Sequence, residues 1–168
     1  MNYRRMPIEE ESPEQLGYQR IRFNLTESSV RDRSLADLGI DLGDMLLFYG
    51  DHAGADSLRE LIAAQSGGAG SGVSHDDVLV TAGAAQALFI SATSLLEKGD
   101  HLVVIRPNYA TNIETPRAIE ADISYLDLTF EDGFRIDPDK LMALVTPRTK
   151  YVSITLPHNP TGVTMSAA

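Results

Sequence analysis

Three short strings in this chain carry residue types and spacings that could do chemistry: Thr81-Ala82-Gly83-Ala84-Ala85-Gln86, Arg106-Pro107-Asn108-Tyr109 and Leu156-Pro157-His158-Asn159-Pro160-Thr161-Gly162. The first runs from an apolar stretch through small residues straight into a helical pattern. Bare N–H groups at such a helix start, added to the positive end of its dipole, form an anion site, most naturally for phosphate. The same small residues would also serve a tight turn that packs closely. The second string puts an aromatic, Tyr109, at the lip of a sheet, where half-buried packing is the ordinary alternative. The third is a long polar turn whose asparagine is fixed by the proline after it. A plain turn has no need of His-Asn-Pro-Thr-Gly.

Other chemistries find less support. Without a cysteine the chain has no disulfide scaffold, thiolate metal site or thiol nucleophile. His52, His75, His101 and His158 fall in no ligand spacing, so no metal site is expected. The glycine-rich stretch from Gly67 to Gly72 lacks the Lys-Ser/Thr of a phosphate loop and precedes a strand pattern, so it reads as a flexible linker. No G-x-G-x-x-G follows the first strand pattern, which argues against a nicotinamide-binding Rossmann domain. Only three of the 14 basic residues are lysines, Lys98, Lys140 and Lys150, and all three fall in polar sequence near helix ends or at the start of a strand.

The elements that must hold these strings follow from composition and periodicity. In 168 residues, 14 Lys+Arg against 24 Asp+Glu leave a formal net charge of −10, and 43% of residues are hydrophobic. This is the profile of one globular domain, or one with a short appendage, large enough to bury a core. The acidic balance argues against a sequence-independent grip on nucleic acid. No stretch approaches the length of a membrane span and the first residues carry no apolar signal region, so a cytoplasmic protein is expected.

Residues 1–45 are polar with weak signals and read as an N-terminal arm with one short strand. Leu58, Leu61 and Ile62 then keep helical spacing. Beyond them, strand and helix patterns alternate. Val78–Val80 reads as a strand, and a helix follows with Ala85, Leu88, Ala92, Leu95 and Leu96 on one face. His101–Ile105 is a second strand, and Tyr109–Glu120 a helix that Pro116 either kinks or restarts. Ile123–Leu128 is a third strand. Asp137-Pro138 has the form of an N-cap and first-turn proline, opening a helix with Leu141, Leu144 and Val145 inward. Tyr151–Leu156 is a fourth strand. This order predicts an α/β fold on a mainly parallel sheet with helices on both faces, and the unbroken apolar run Leu102–Ile105 fits a strand covered on both sides.

Taken together, Tyr49-Gly50, the TAGAAQAL string at 81–88, RPNYATN at 106–112 and LPHNPTG at 156–162 resemble the class I/II aminotransferases, the fold type I pyridoxal-phosphate enzymes of the aspartate aminotransferase superfamily. The resemblance covers roughly residues 20–165, and HNPTG is its most specific part. It implies that residues 1–45 are an arm or small-domain segment and that 46–168 are the first part of the cofactor-binding large domain. It also implies that Gly83, Ala84 and Ala85 hold the cofactor phosphate through backbone N–H groups. Tyr109 would stack on the pyridine ring. Asn159 would bond the ring's phenolic oxygen and help orient the substrate carboxylate. Tyr49 would reach the phosphate in a neighbouring subunit, which makes a homodimer the expected assembly and an amino acid with a 2-oxo acid the expected substrates. Glu27-Ser28-Ser29 lies where the family's N-terminal segment nears the substrate, a loose match that assigns no role.

Two departures qualify this. Ala84 and Ala85 offer no hydroxyl to the phosphate where many members have one. The sequence also ends six residues after Gly162, and the family's Schiff-base lysine, its aspartate for the pyridine nitrogen and its arginine for the substrate carboxylate come later. No catalytic residue maps onto this chain, which by itself is expected to be inactive. Because the matched residues serve the cofactor, a lyase, decarboxylase or acyl transferase of the same superfamily, or a non-catalytic binding module, are the alternatives.

Overall fold

The computed structural model describes residues 1–25, 30, 32–67 and 72–165. The chain divides into two compact units, Met1–Arg20 with Gly83–Ala168, and Ile21–Ala82.

The second unit is built around one helix. Before it, the described residues form turns, including the 3-10 turn Ala36–Leu38, and contain no strand, so the short strand expected in residues 1–45 is not found there. In the numbering used below, α1 is Pro7–Glu10, α2 Pro13–Leu16 and α3 Asp56–Gly67. The helix α3 is anchored by a buried arginine. Arg59 donates from Nε to the Val78 carbonyl at 3.0 Å and pairs with Asp56 at 3.0 Å and Asp76 at 3.6 Å. Leu58 and Leu61 stay exposed. Val78–Val80, expected as a strand, joins no sheet among the described residues. Its apolar character suits a strand, but a ladder needs a neighbour, and Val80 instead donates to the Ala53 carbonyl at 2.8 Å. There Gly54 has φ +105, and a Cβ on it would come within 2.5 Å of Val80, so only glycine fits this crossing.

The first unit carries the sheet. It consists of β1 (His101–Arg106), β2 (Asp122–Asp127) and β3 (Thr149–Ser153), all parallel, in the order β2-β1-β3. The helices around it are α4 (Ala84–Leu95), α5 (Ala110–Ile119) and α6 (Pro138–Ala143). Being central, β1 must be apolar on both faces, and Leu102, Val103, Val104 and Ile105 are fully buried. Leu102 and Val104 pack with Ala92 and Leu96 around α4 and with Ile113 of α5. Val103 and Ile105 pack on the opposite face with Leu126, Leu128 and Leu141 of α6. The mainly parallel sheet with helices on both faces is therefore present.

Local signals account for most of the helix limits. Asp137 caps α6, its Oδ1 accepting from the N–H groups of Asp139 at 2.9 Å and Lys140 at 3.2 Å. α5 runs unbroken through Pro116, which is fully buried. The expected inner face of α4 is narrower than its spacing suggested. Ala92 and Leu96 are buried, whereas Ala85 is exposed and Leu95 is 53% exposed. At the amino ends of the strands, buried His101 on β1 bonds Thr149 of β3 through Nδ1 at 2.7 Å and Ser124 of β2 through Nε2 at 2.9 Å. One side chain thereby ties all three strands.

Candidate active site

The strand order brings two of the three chemical strings together. β1 sends its connection through α5 to β2 on one side, while β3 lies on its other side. In open α/β sheets, ligands bind beyond the carboxyl ends of the strands where the order reverses in this way. The loop leaving β1 carries Asn108 and Tyr109. The segment leaving β3 carries His158 and Asn159.

These two loops are built differently. In the β1 loop, Asn108 acts as a brace. Its Nδ2 donates to the Ile105 carbonyl at 3.0 Å, and its Oδ1 accepts from the Tyr109 N–H at 2.7 Å and the Asn112 amide at 2.8 Å. Tyr109, the N-cap residue of α5, is thereby held with its ring half exposed. The β3 turn closes on itself. The His158 N–H donates to the Val163 carbonyl at 2.8 Å and the Gly162 N–H to the His158 carbonyl at 2.6 Å, with Gly162 at φ +73. The side chain of Asn159 is exposed and makes no hydrogen bond among the described residues. The two loops meet at His158, whose ring is buried and whose Nε2 lies 2.9 Å from the Pro107 carbonyl. Thr155 adds a longer bond to Asn108 at 3.4 Å.

The third string opens α4. The chain passes from the end of α4 to the amino end of β1 through residues 96–100, and the two pack against each other. Twelve helical residues span about 18 Å and six strand residues about 20 Å, so a helix of this length lying along β1 is long enough for its first turn to reach the level of the carboxyl edge. Gly83, with φ +94, is its N-cap, followed by Ala84 and Ala85, both exposed. The first N–H groups of a 12-residue helix lack acceptors within it, and the side chains of Ala84 and Ala85 are small. Backbone donors, an aromatic face and an unengaged amide form a set that suits a ligand with a phosphate at one end and a planar ring bearing an oxygen at the other.

Tyr49 belongs to the other unit. Its side chain is 100% exposed, at the end of the exposed apolar run Met45–Tyr49. Glu27-Ser28-Ser29 and most of the glycine-rich stretch lie outside the described residues. All three lysines are engaged with carboxylates on the surface. Lys98 bonds Glu120 at 2.6 Å, which holds the ammonium above its usual pKa and the carboxyl below its own. Lys140 lies 4.0 Å from Asp137. Lys150 occupies the irregularity where β3 gains a residue on β1, with its Nζ 3.5 Å from Asp100.

His158 is the site residue that sequence reasoning undervalued, since it reads as an ordinary turn histidine. Nothing in the neighbouring sequence marks it, because its burial depends on the Pro107 carbonyl, 51 residues away. A concavity of about 300 Å³ was also unforeseen. It is lined by Arg4, Arg5, Met6, Arg106, Arg117 and Tyr125 among others. Its inner guanidinium groups are already committed. Arg106 grips Asp127 with two bonds of 2.6 and 2.7 Å while lying 4.0 Å over the Tyr125 ring, and Arg117 pairs with Glu114.

Residues 24–168 match the family described as Aminotransferase class I and II. The chain belongs to that family. It is 35% identical over 121 residues to arginine–pyruvate transaminase of Pseudomonas aeruginosa, an alignment covering 71% of this chain and 31% of that enzyme. Among solved structures, an aspartate aminotransferase mutant of Thermus thermophilus superposes with a TM-score of 0.64 at 32% identity, covering 70% of this chain and 32% of that one. The pyridoxal-phosphate-dependent cyclase OrfR superposes with a TM-score of 0.76 at 31% identity, covering 99% of this chain and 44% of that one. The chain thus spans about a third of the length of the curated relative it matches. Membership in this family of aminotransferases implies pyridoxal phosphate as the cofactor, and the donor set at the carboxyl edge suits it. Among the described residues, no helix is long and apolar enough to cross a membrane.

Proposed function

We propose that this chain supplies the phosphate and ring contacts for pyridoxal phosphate in an aminotransferase that acts on an amino acid and a 2-oxo acid. The observation that carries the proposal is the junction of the Tyr109 loop and the Asn159 turn through His158.

Each residue has a distinct task. The N–H groups of Ala84 and Ala85, in the turn that follows Gly83, bind the phosphate dianion, aided by the dipole of α4. Because neither alanine has a hydroxyl, further phosphate contacts must come from elsewhere. Tyr109 stacks on one face of the pyridine ring and fixes its plane. Asn159 donates its amide to the ring's phenolic oxygen and helps orient the substrate carboxylate. When bound, the cofactor supplies an electron sink for charge developing at the amino acid's Cα. Tyr49 is exposed as a group serving a second copy would be, and we propose a homodimer in which it reaches the neighbouring phosphate. The three lysines, each beside a carboxylate, are assigned no part in proton transfer.

One observation favours a second reading within the same cofactor chemistry. The match to the cyclase extends over 99% of the chain, N-terminal segment included, whereas that to the aspartate aminotransferase covers 70%. The residues named above would serve either reaction.

The test is a fluorescence titration of the protein with pyridoxal phosphate. Tyr109→Ala and Asn159→Ala should each weaken binding by about fivefold to tenfold, and Tyr109→Phe should not. Equal affinity in all four proteins would remove the proposed site. In a whole enzyme carrying this chain, recovery of the amino nitrogen on an added 2-oxo acid separates transamination from cyclisation.

A further inference from the structure

His158 has a buried ring with both nitrogens engaged, and nothing in the contacts proposed for the cofactor uses it. Its exposure is 2%, Nδ1 lies 2.7 Å from the Thr161 hydroxyl and Nε2 lies 2.9 Å from the Pro107 carbonyl. The partners decide the tautomer. A carbonyl oxygen only accepts, so Nε2 carries the proton and donates it to Pro107. Nδ1 is then the bare nitrogen, and the Thr161 hydroxyl donates to it. Thr161 Oγ1 in turn accepts from the Val163 N–H at 3.4 Å. The ring is therefore fixed from both sides, by its own turn and by the loop of the neighbouring strand.

We propose that His158 is the positioning residue of this site, setting the exposed Asn159 amide against the Tyr109 ring. The turn from His158 to Val163 is closed by its own backbone bonds and by Thr161, so it moves as one body. Its firm polar attachment to the β1 loop is the bond to Pro107. Two residues further on, Tyr109 is held by Asn108, which is itself pinned to β1. Any displacement at His158 is thus a displacement of Asn159 relative to Tyr109. A shift of about 1 Å in such a pair is enough to spoil two contacts that must be made at once to one rigid ligand. The effect on the cofactor rests on the function proposed above. The clamp itself does not.

The substitutions that test this differ in reach. Glutamine places an amide N–H near the position of Nε2 and can still donate to Pro107. Alanine leaves that buried carbonyl without its partner. Pyridoxal phosphate is titrated into the wild type, His158→Gln and His158→Ala. In parallel, NMR follows the Asn159 side-chain amide, the Tyr109 ring and, as a control for the fold, the ring of His101 at the opposite end of the strands.

The expected result is an Nε2-protonated His158 and affinity about tenfold weaker in the alanine variant. Glutamine should restore it to within about threefold. The Asn159 and Tyr109 signals should move in the alanine variant, with His101 unmoved throughout. If no protein binds the cofactor while Asn159 and Tyr109 still respond to alanine and not to glutamine, the proposed function fails and the clamp stands. Asn159 and Tyr109 signals indifferent to alanine would overturn the clamp. So would identical behaviour of the two variants, or a His101 shift that makes the effect a general loss of packing.

Discussion

His158 and Pro107 lie 51 residues apart in sequence, and the imidazole Nε2–H of one donates to the carbonyl of the other over 2.9 Å. This bond joins the loops beyond two adjacent parallel strands, one carrying Asn159 and the other Tyr109. At the other end of the same strands His101 makes the matching tie, bonding hydroxyls on β2 and β3. The sheet is held by a buried histidine at each end.

The start of α4 is expected to be the phosphate site, and its charge tolerance tests this. Ala84→Asp sets a carboxylate against a phosphate in the first helical turn and should weaken pyridoxal phosphate binding at least tenfold, about 1.4 kcal/mol. Ala84→Ser adds a hydroxyl donor and should leave affinity equal or better. The same fluorescence titration reads both, and unchanged binding by Ala84→Asp would move the phosphate elsewhere.

The ion pair between Arg106 and Asp127 predicts a particular pH dependence. The bonds from the guanidinium hold the Asp127 carboxyl below its usual value of 3.8. For a depressed acid, the stabilisation is fully present above the unfolded-state value and is lost as pH falls through the lower folded value. The thermal midpoint of wild type should therefore exceed that of Asp127→Asn at pH 6, and the gap should narrow on acidification below about pH 4. Both side chains are partly exposed, so salt should narrow it too. A gap that widens in acid would contradict the assignment.

Core position should matter more than residue type on α4 and β1. Leu102 is fully buried at the centre of the sheet, and Leu102→Ala should destabilise by about 2–5 kcal/mol in urea unfolding. Leu95 is expected to tolerate alanine within about 0.5 kcal/mol because it is exposed. Comparable losses at both positions would mean that Leu95 is covered in solution.

The lysines should not act as specific cofactor ligands. Lys98 is held protonated by Glu120, and Lys140 and Lys150 are likewise exposed beside carboxylates. Treating the 168-residue chain with pyridoxal phosphate and borohydride, followed by peptide mass spectrometry, should give scattered labelling well below one per chain. Stoichiometric labelling of one of these three lysines, together with amino-group transfer, would refute this.

Several features were legible because their causes are local. Asp137-Pro138 caps and opens α6 through bonds to N–H groups two and three residues on. The unbroken run Leu102–Ile105 announced a strand covered on both faces, and β1 is central. Other features depended on partners distant in sequence. Val78–Val80 has strand composition, yet no described strand lies beside it to accept a ladder, and Val80 bonds Ala53 instead. Leu95 keeps the helical spacing of a core residue, but β1 and α5 cover only the stripe through Ala92 and Leu96.

What the sequence determined alone is therefore the alternation of strands and helices, the helix caps and the three polar strings that follow apolar runs. These arise from turn chemistry, capping and periodicity, which act within a few residues. Tertiary structure alone decided the strand order β2-β1-β3, the meeting of two of those strings at one edge and the inward turn of His158. Each depends on which strand lies next to which, a relation set by burying both faces of β1 at once, and spacing along the chain carries no record of it.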